Sequence, residues 1–121
     1  MLALYLEHVV NLPSIHHAGP RFKLGRIFTT PAALAACATA QVSMFDLLLR
    51  HVRGDWGNLS EPDRLQNEQA LEVGLVLLSS YALPDGATVW IITEWDRSIT
   101  TEIFKLVVAS TNKYQAAFFS W

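Results

Sequence analysis

The chain predicts an α+β domain in which a small antiparallel sheet of three to four strands packs against two or three helices. Two observations carry this. Residues 31–78 hold successive helix starts, each with its own cap, while after residue 78 the pattern changes to SSYAL, a PDG turn and TVWIITE, the pattern of a β-hairpin. A second tight turn, WDRS, leads into the returning strand ITTEIFKLVVAS. With 121 residues the chain makes one domain, 1–121, long enough to bury a core.

Taken in order, residues 1–12 (MLALYLEHVVNL) are too brief a run for periodicity to decide between helix and strand, and Pro13, Gly19 and Pro20 mark an irregular segment. FKLGRIFTT, residues 22–30, mixes aromatic and β-branched residues and reads as a strand. Thr30 before Pro31 is an N-cap with proline at the first helical position, opening an alanine-rich helix over 31–39. Ser43 caps a second helix, MFDLLLRHVR, in which Phe45, Leu48, Leu49 and Val52 recur at helical spacing and are expected to face the core. Gly54 ends it, and Ser60, Pro62 and Asp63 start a third helix expected over 61–78. Leu65, Leu71, Leu75, Val76 and Leu78 form its apolar stripe, with Arg64, Gln66, Asn67 and Glu68 toward solvent. VWII is continuously apolar, which predicts a central strand covered on both faces, one of them by a further layer or a second subunit.

Charged residues make up 17% of the chain, below the usual level of about 25%, and hydrophobic residues make up 51%. So few charges cover a monomer poorly, which predicts self-association as a homodimer or tetramer. A net charge of −2 provides no global attraction to phosphate backbones, so nucleic-acid binding would need a local basic patch such as Arg50, Arg53 and Arg64. The lone Cys37 lies in an apolar run and reads as a buried thiol in a reducing compartment. No apolar stretch reaches the roughly 20 residues that span a bilayer, so no membrane partner and a cytoplasmic location are expected.

The stretch RHVRGDWGN raises the question of chemistry. Arg50, His51, Arg53, Asp55 and Trp56 concentrate polar and aromatic groups there, and Arg50, Arg53, Asp55 and Trp56 are candidate binding residues, with Asp96 in the later turn. Most of the stretch is also explained as a helix end: cations in the last turn complement the helix dipole, Gly54 supplies a left-handed residue, Asp55, Gly57 and Asn58 form a turn, and Trp56 pins the loop. If the fold brought His51 to Glu94 and Arg97, an imidazole and a carboxylate exchanging protons beside a guanidinium would suit metal-independent RNA cleavage. These three are the candidate catalytic residues of an alternative, toxin-like ribonuclease reading. In that reading His51→Ala abolishes cleavage and barely moves the melting temperature. No P-loop, GxGxxG, HExxH, paired CxxC or GxSxG pattern is present, so no cofactor is expected. His16 and His17 are adjacent and no histidine pair has i, i+4 spacing, so no metal site is expected.

Three segments, FKLGRIFTTPAALAA, LLLRHVRGDWGNLSEPDRLQNEQAL and LLSSYALPDGATVWIITEWDRSITT, resemble a family of small bacterial proteins of plasmids, integrative elements and gene cassettes. Its members are usually called plasmid-related or hypothetical. The resemblance spans about residues 22–101 and implies no established activity, so no catalytic residue carries over. Some relatives bear the label of a type I restriction-modification subunit, which this chain does not support: it is too short and lacks both a [DN]PP[YF] motif and an S-adenosylmethionine loop. Residues 1–21 precede the family's usual start as an N-terminal extension. From residue 102, EIFKLVVASTNKYQAAFFSW replaces the family's short acidic ending, as an altered reading frame or a cassette-specific extension. The aromatic AFFSW end is expected to bury itself against a neighbouring subunit. The leading expectation is therefore a non-enzymatic, oligomeric accessory protein of a mobile element that binds a macromolecular partner or a small ligand.

Overall fold

The computed structural model describes residues 19–105. The expected N-terminal element, the His16–His17 pair and the aromatic tail lie outside the described residues. Strand β1 (Arg26–Thr29) leads through helices α1 (Pro31–Ala40), α2 (Met44–Val52) and α3 (Glu61–Val73) into strands β2 (Leu77–Ala82), β3 (Thr88–Thr93) and β4 (Ile99–Lys105). The sheet order is β1-β4-β3-β2. An α+β fold with a sheet against helices is what the sequence predicted. The sheet is mixed rather than purely antiparallel, because β1 runs parallel to β4 in the register Ile27 to Thr100 and Thr29 to Glu102. The other two pairings are antiparallel, with Ile91 opposite both Ser79 and Glu102.

The helix starts are chemically local, and they fall where the sequence places them. Thr30, Ser43 and Ser60 each accept a hydrogen bond from a first-turn backbone N–H, of Ala33, Phe45 and Asp63 respectively. At the end of α2, Gly54 takes φ +83, its N–H bonds His51 O at 3.0 Å, and the Asp55 N–H bonds Arg50 O at 2.9 Å. These are the two bonds of a Schellman motif, closed by a residue free of a Cβ.

The faces and lengths differ in three places. Helix α3 stops at Val73 because Gly74 adopts the left-handed conformation, so Leu78 belongs to β2 and Val76 to the connection leading into it rather than to a helical stripe, and Leu65 and Leu75 are exposed. Helix α2 turns Leu47, Leu48, His51 and Val52 inward and leaves Phe45 and Leu49 exposed, one position round from the expected stripe. Asn67 is buried, while Arg64 donates to Leu59 O and Gly57 O, so neither is simply a solvated residue.

Period-2 alternation sorts the sheet into two faces. Val89, Ile91 and Tyr81 pack with Cys37, Leu47 and Leu48 of α1 and α2 on one face. Trp56 packs with Ala70 and Leu77 beside them. On the opposite face Leu78, Trp90 and Ile92 are buried with Val76 and Ile103. Strand β3 is thus buried on both faces, as the run VWII implies; no described helix lies over the second face. Among the described residues no single helix is long and apolar enough to cross a membrane, and α1 and α2, which together would be, are bent against each other by 105°.

Candidate functional site

The helix-facing side of the sheet carries a line of polar side chains with no exposure at all: His51, Ser79, Thr93, Thr100 and Glu102. Alternation along the paired strands places the last four on one face, and α2 lowers His51 onto them. The His51 ring meets Ser79 Oγ through Nδ1 at 2.5 Å and Thr93 Oγ1 through Nε2 at 2.8 Å. Thr93 Oγ1 continues to Thr100 Oγ1 at 2.7 Å, and the Thr100 hydroxyl donates to Leu24 O at 2.6 Å. Burial, with a smaller contribution from the Arg97 charge, pushes the imidazole down to about 3. The ring is therefore neutral at physiological pH. With both nitrogens bonded it sets the spacing of α2, β2 and β3 and has no spare atom for a substrate.

Glu102 lies further along the same face, between Thr29 of β1 and Ile91 of β3. Its Oε1 accepts from Thr29 Oγ1 at 3.4 Å, and its Oε2 is buried without a hydrogen-bond partner. Burial raises this carboxyl to about 7, only slightly offset by the Thr29 bond. Burial, and then the nearby Glu102, also raise the Cys37 thiol, so this cysteine is protonated and inert at neutral pH.

The α2 end and the β3–β4 turn do come together, with an aromatic ring between them. The Phe22 ring stands edge-on to His51 at 5.1 Å between centroids, and the Arg97 guanidinium lies 5.8 Å from the same ring's centroid. Arg97, itself at φ +60, spends its donors on backbone carbonyls: Leu75 at 2.7 Å, Glu94 at 2.9 Å, Trp95 at 3.3 Å and Ala70 at 2.9 Å. It supplies the cation that the last turn of α3 lacks, and so caps that helix from the sheet side. Glu94 is half-buried and joins the turn by its backbone, its N–H reaching Ile99 O at 2.9 Å. His51 and Arg97, on either side of Phe22, are both committed to hydrogen bonds within the fold.

The binding candidates divide in the same way. Arg50 donates to Asp55 at 2.6 Å and lies 4.5 Å from the Tyr81 ring centroid, while Asp55 also accepts from the Gly57 N–H at 3.3 Å. Burial pushes the Tyr81 phenol up, and its hydroxyl donates to Asp55 O at 2.5 Å. Trp56 is buried and donates through Nε1 to Glu68 Oε2 at 2.9 Å; Glu68 in turn holds Arg21 at 2.8 and 3.0 Å. Arg21, the last residue of the expected extension, is thereby tied into the domain, and its backbone N–H bonds Val52 O at 2.8 Å. Asp96 is exposed and accepts from the Ser98 N–H at 3.1 Å and hydroxyl at 2.6 Å. Arg53 is exposed at the α2 C-cap, so of Arg50, Arg53 and Arg64 it alone projects into solvent without a structural task among the described residues.

The buried roles of Glu102, Ser79, Thr93, Thr100 and Asn67 are not expected from the sequence. One signal was available: polar residues at alternate positions inside otherwise apolar strands, as in LLSSYAL and VWIIT, mark a buried polar line. Comparison of the chain with family models, with curated proteins and with solved structures gave no match.

Proposed function

We propose that this protein is a non-enzymatic, self-associating binding module of the cytoplasm, an accessory protein of a mobile genetic element that acts on a macromolecular partner or a small ligand. One observation carries the reading. The chain has no charged residue from Ile27 through Phe45, and that stretch exposes Ile27, Phe28, Leu34 and Phe45. An exposed uncharged, apolar surface of this kind suits docking rather than solvation. The groups suited to proton transfer point the same way: His51 is buried and neutral, and Arg97 is committed to four carbonyls. The resemblance to plasmid and cassette proteins supports the setting, and the low charge content supports assembly.

Light scattering at micromolar concentration tests the self-association, with an expected mass of two or four chains. A monodisperse monomer overturns it. Incubation with single-stranded RNA across pH 5–8 tests the non-enzymatic part. The RNA is expected to stay intact, and cleavage abolished by Arg97→Ala would overturn that part.

A further inference from the structure

We propose that the β1 edge is the self-association surface, and that it pairs antiparallel with β1 of a second copy about a two-fold axis at Phe28. This rests on the self-association reading above and assigns it a place. The parallel ladder turns the backbone groups of alternate residues toward β4: the Arg26 N–H bonds Ser98 O at 2.8 Å and the Thr30 N–H bonds Glu102 O at 3.0 Å. The backbone N–H and C=O of Ile27 and Thr29 therefore point away from the sheet, and no described residue meets them. The strand exposes Arg26, Ile27 and Phe28, with Ile27 at 47% and Phe28 at 45%. Proteins usually protect such an edge with an inward charge, a bulge, a proline within the strand or a covering loop. RIFT has none of these among the described residues; its only protections are its four-residue length and the exposed Arg26 at its start.

The occupant follows from register. Outward-facing residues must oppose outward-facing residues across an antiparallel pair. Pairing Ile27 with Ile27 would place Thr29 opposite Gly25, whose φ of +67 is not extended. Pairing Thr29 with Thr29 would place Ile27 opposite Pro31, which has no N–H and begins α1. The remaining symmetric register sets Ile27 opposite Thr29 of the second copy, uses every outward group, and puts Phe28 on the axis opposite itself. The edge thus fits a second copy of itself, and its charge pattern agrees. No charged residue lies between Ile27 and Phe45, and the two Arg26 residues would stand four positions apart along the strands, about 14 Å. The result is a continuous eight-stranded sheet across two chains.

Phe28→Cys is the test, since a non-hydrogen-bonded antiparallel pair brings Cα atoms to about 4.5 Å, within disulfide range. Under mild copper–phenanthroline oxidation at micromolar concentration, Phe28→Cys is expected to run as a cross-linked dimer on non-reducing gels. Ile27→Cys is expected not to, because its Cα atoms would be about 8 Å apart, and the parent with buried Cys37 is the control. A dimer or tetramer by light scattering with no Phe28→Cys cross-link overturns the edge pairing and leaves self-association standing. Equal cross-linking of Ile27→Cys also overturns the register. A monodisperse monomer by light scattering at micromolar concentration overturns both.

Discussion

At the β2 edge every outward backbone group of Leu78 and Ser80 has a partner, whereas at the β1 edge those of Ile27 and Thr29 have none among the described residues. The Asn67 amide donates to Leu78 O at 2.7 Å and accepts from the Leu78 N–H at 3.2 Å. Beyond it the Trp56–Asn58 loop completes the edge, the Ser80 N–H bonding Trp56 O at 3.0 Å and the Asn58 N–H bonding Ser80 O at 2.6 Å. Gly57 makes this approach possible: at φ +75 its hydrogen faces Ser80 O where a Cβ would come within 2.0 Å. The two edges also differ in what lies beneath them, a neutral base bonded to β2 and β3 and a buried carboxyl beside β1. One edge is finished internally, and the other is open among the described residues.

The largest expected effect is on the finished side. His51→Ala removes a fully buried ring and leaves Ser79 and Thr93 short of partners, so it should lower stability by about 3–5 kcal/mol. Chemical denaturation measures this, and a change below about 1 kcal/mol would mean that the ring does not hold the sheet to α2. The same experiment separates the structural role from the ribonuclease reading, in which this variant melts almost normally. Next, Asn67→Ala uncovers the Leu78 N–H and C=O in a buried setting and should cost about 2–4 kcal/mol. A cost near zero would show that the β2 edge is closed by the loop alone.

How much of this was legible depends on the range of the interactions. Thr30, Ser43 and Ser60 announce helix starts because a cap is satisfied within three residues, and the PDG turn likewise identifies its hairpin. The end of α3 is not marked in the sequence because Gly74 sits inside LEVGLVLL, where apolar residues continue on both sides. The parallel pairing of β1 joins residues 73 positions apart, as in Thr29 and Glu102, and no local pattern encodes it. His51 reads as part of a helix end because arginines flank it; its partners lie 28 and 42 positions away, and only their inward register reveals the burial. Arg97 reads as a functional group because nothing in its own turn shows that α3 lacks a cation at its end.

The buried base and acid should respond to pH with opposite sign. His51 has its folded pKa depressed to about 3 from 6.5, so its contribution is present above about 6.5 and is lost as pH falls toward 3. Glu102 has its folded pKa raised to about 7 from 4.5, so its contribution is present below about 4.5 and is lost as pH rises through 7. Where the windows overlap, between about 4.5 and 6.5, the two slopes oppose each other. Glu102→Gln removes the second one, and should raise stability at pH 8 by about 1–3 kcal/mol while leaving pH 4.5 little changed. Melting curves at both pH values check it, and an equal shift at both would separate the gain from titration.

The smallest effect is expected at the open edge. Phe28→Lys replaces a side chain that is 45% exposed and gives up the contact with the Arg26 guanidinium, 5.3 Å from its ring centroid. An exposed cation–π contact contributes about 0.5–1 kcal/mol. Under dilute conditions, where any assembly has dissociated, the variant should therefore unfold within about 1 kcal/mol of the parent. At higher concentration the two should part, because Phe28→Lys places like charges together on the proposed axis and the parent alone gains stability from association. The informative quantity is the concentration dependence of the melting temperature, present in the parent and absent in Phe28→Lys. If the variant instead loses as much as Asn67→Ala when dilute, the β1 edge is as fully committed within the chain as the β2 edge, and the contrast between them does not hold.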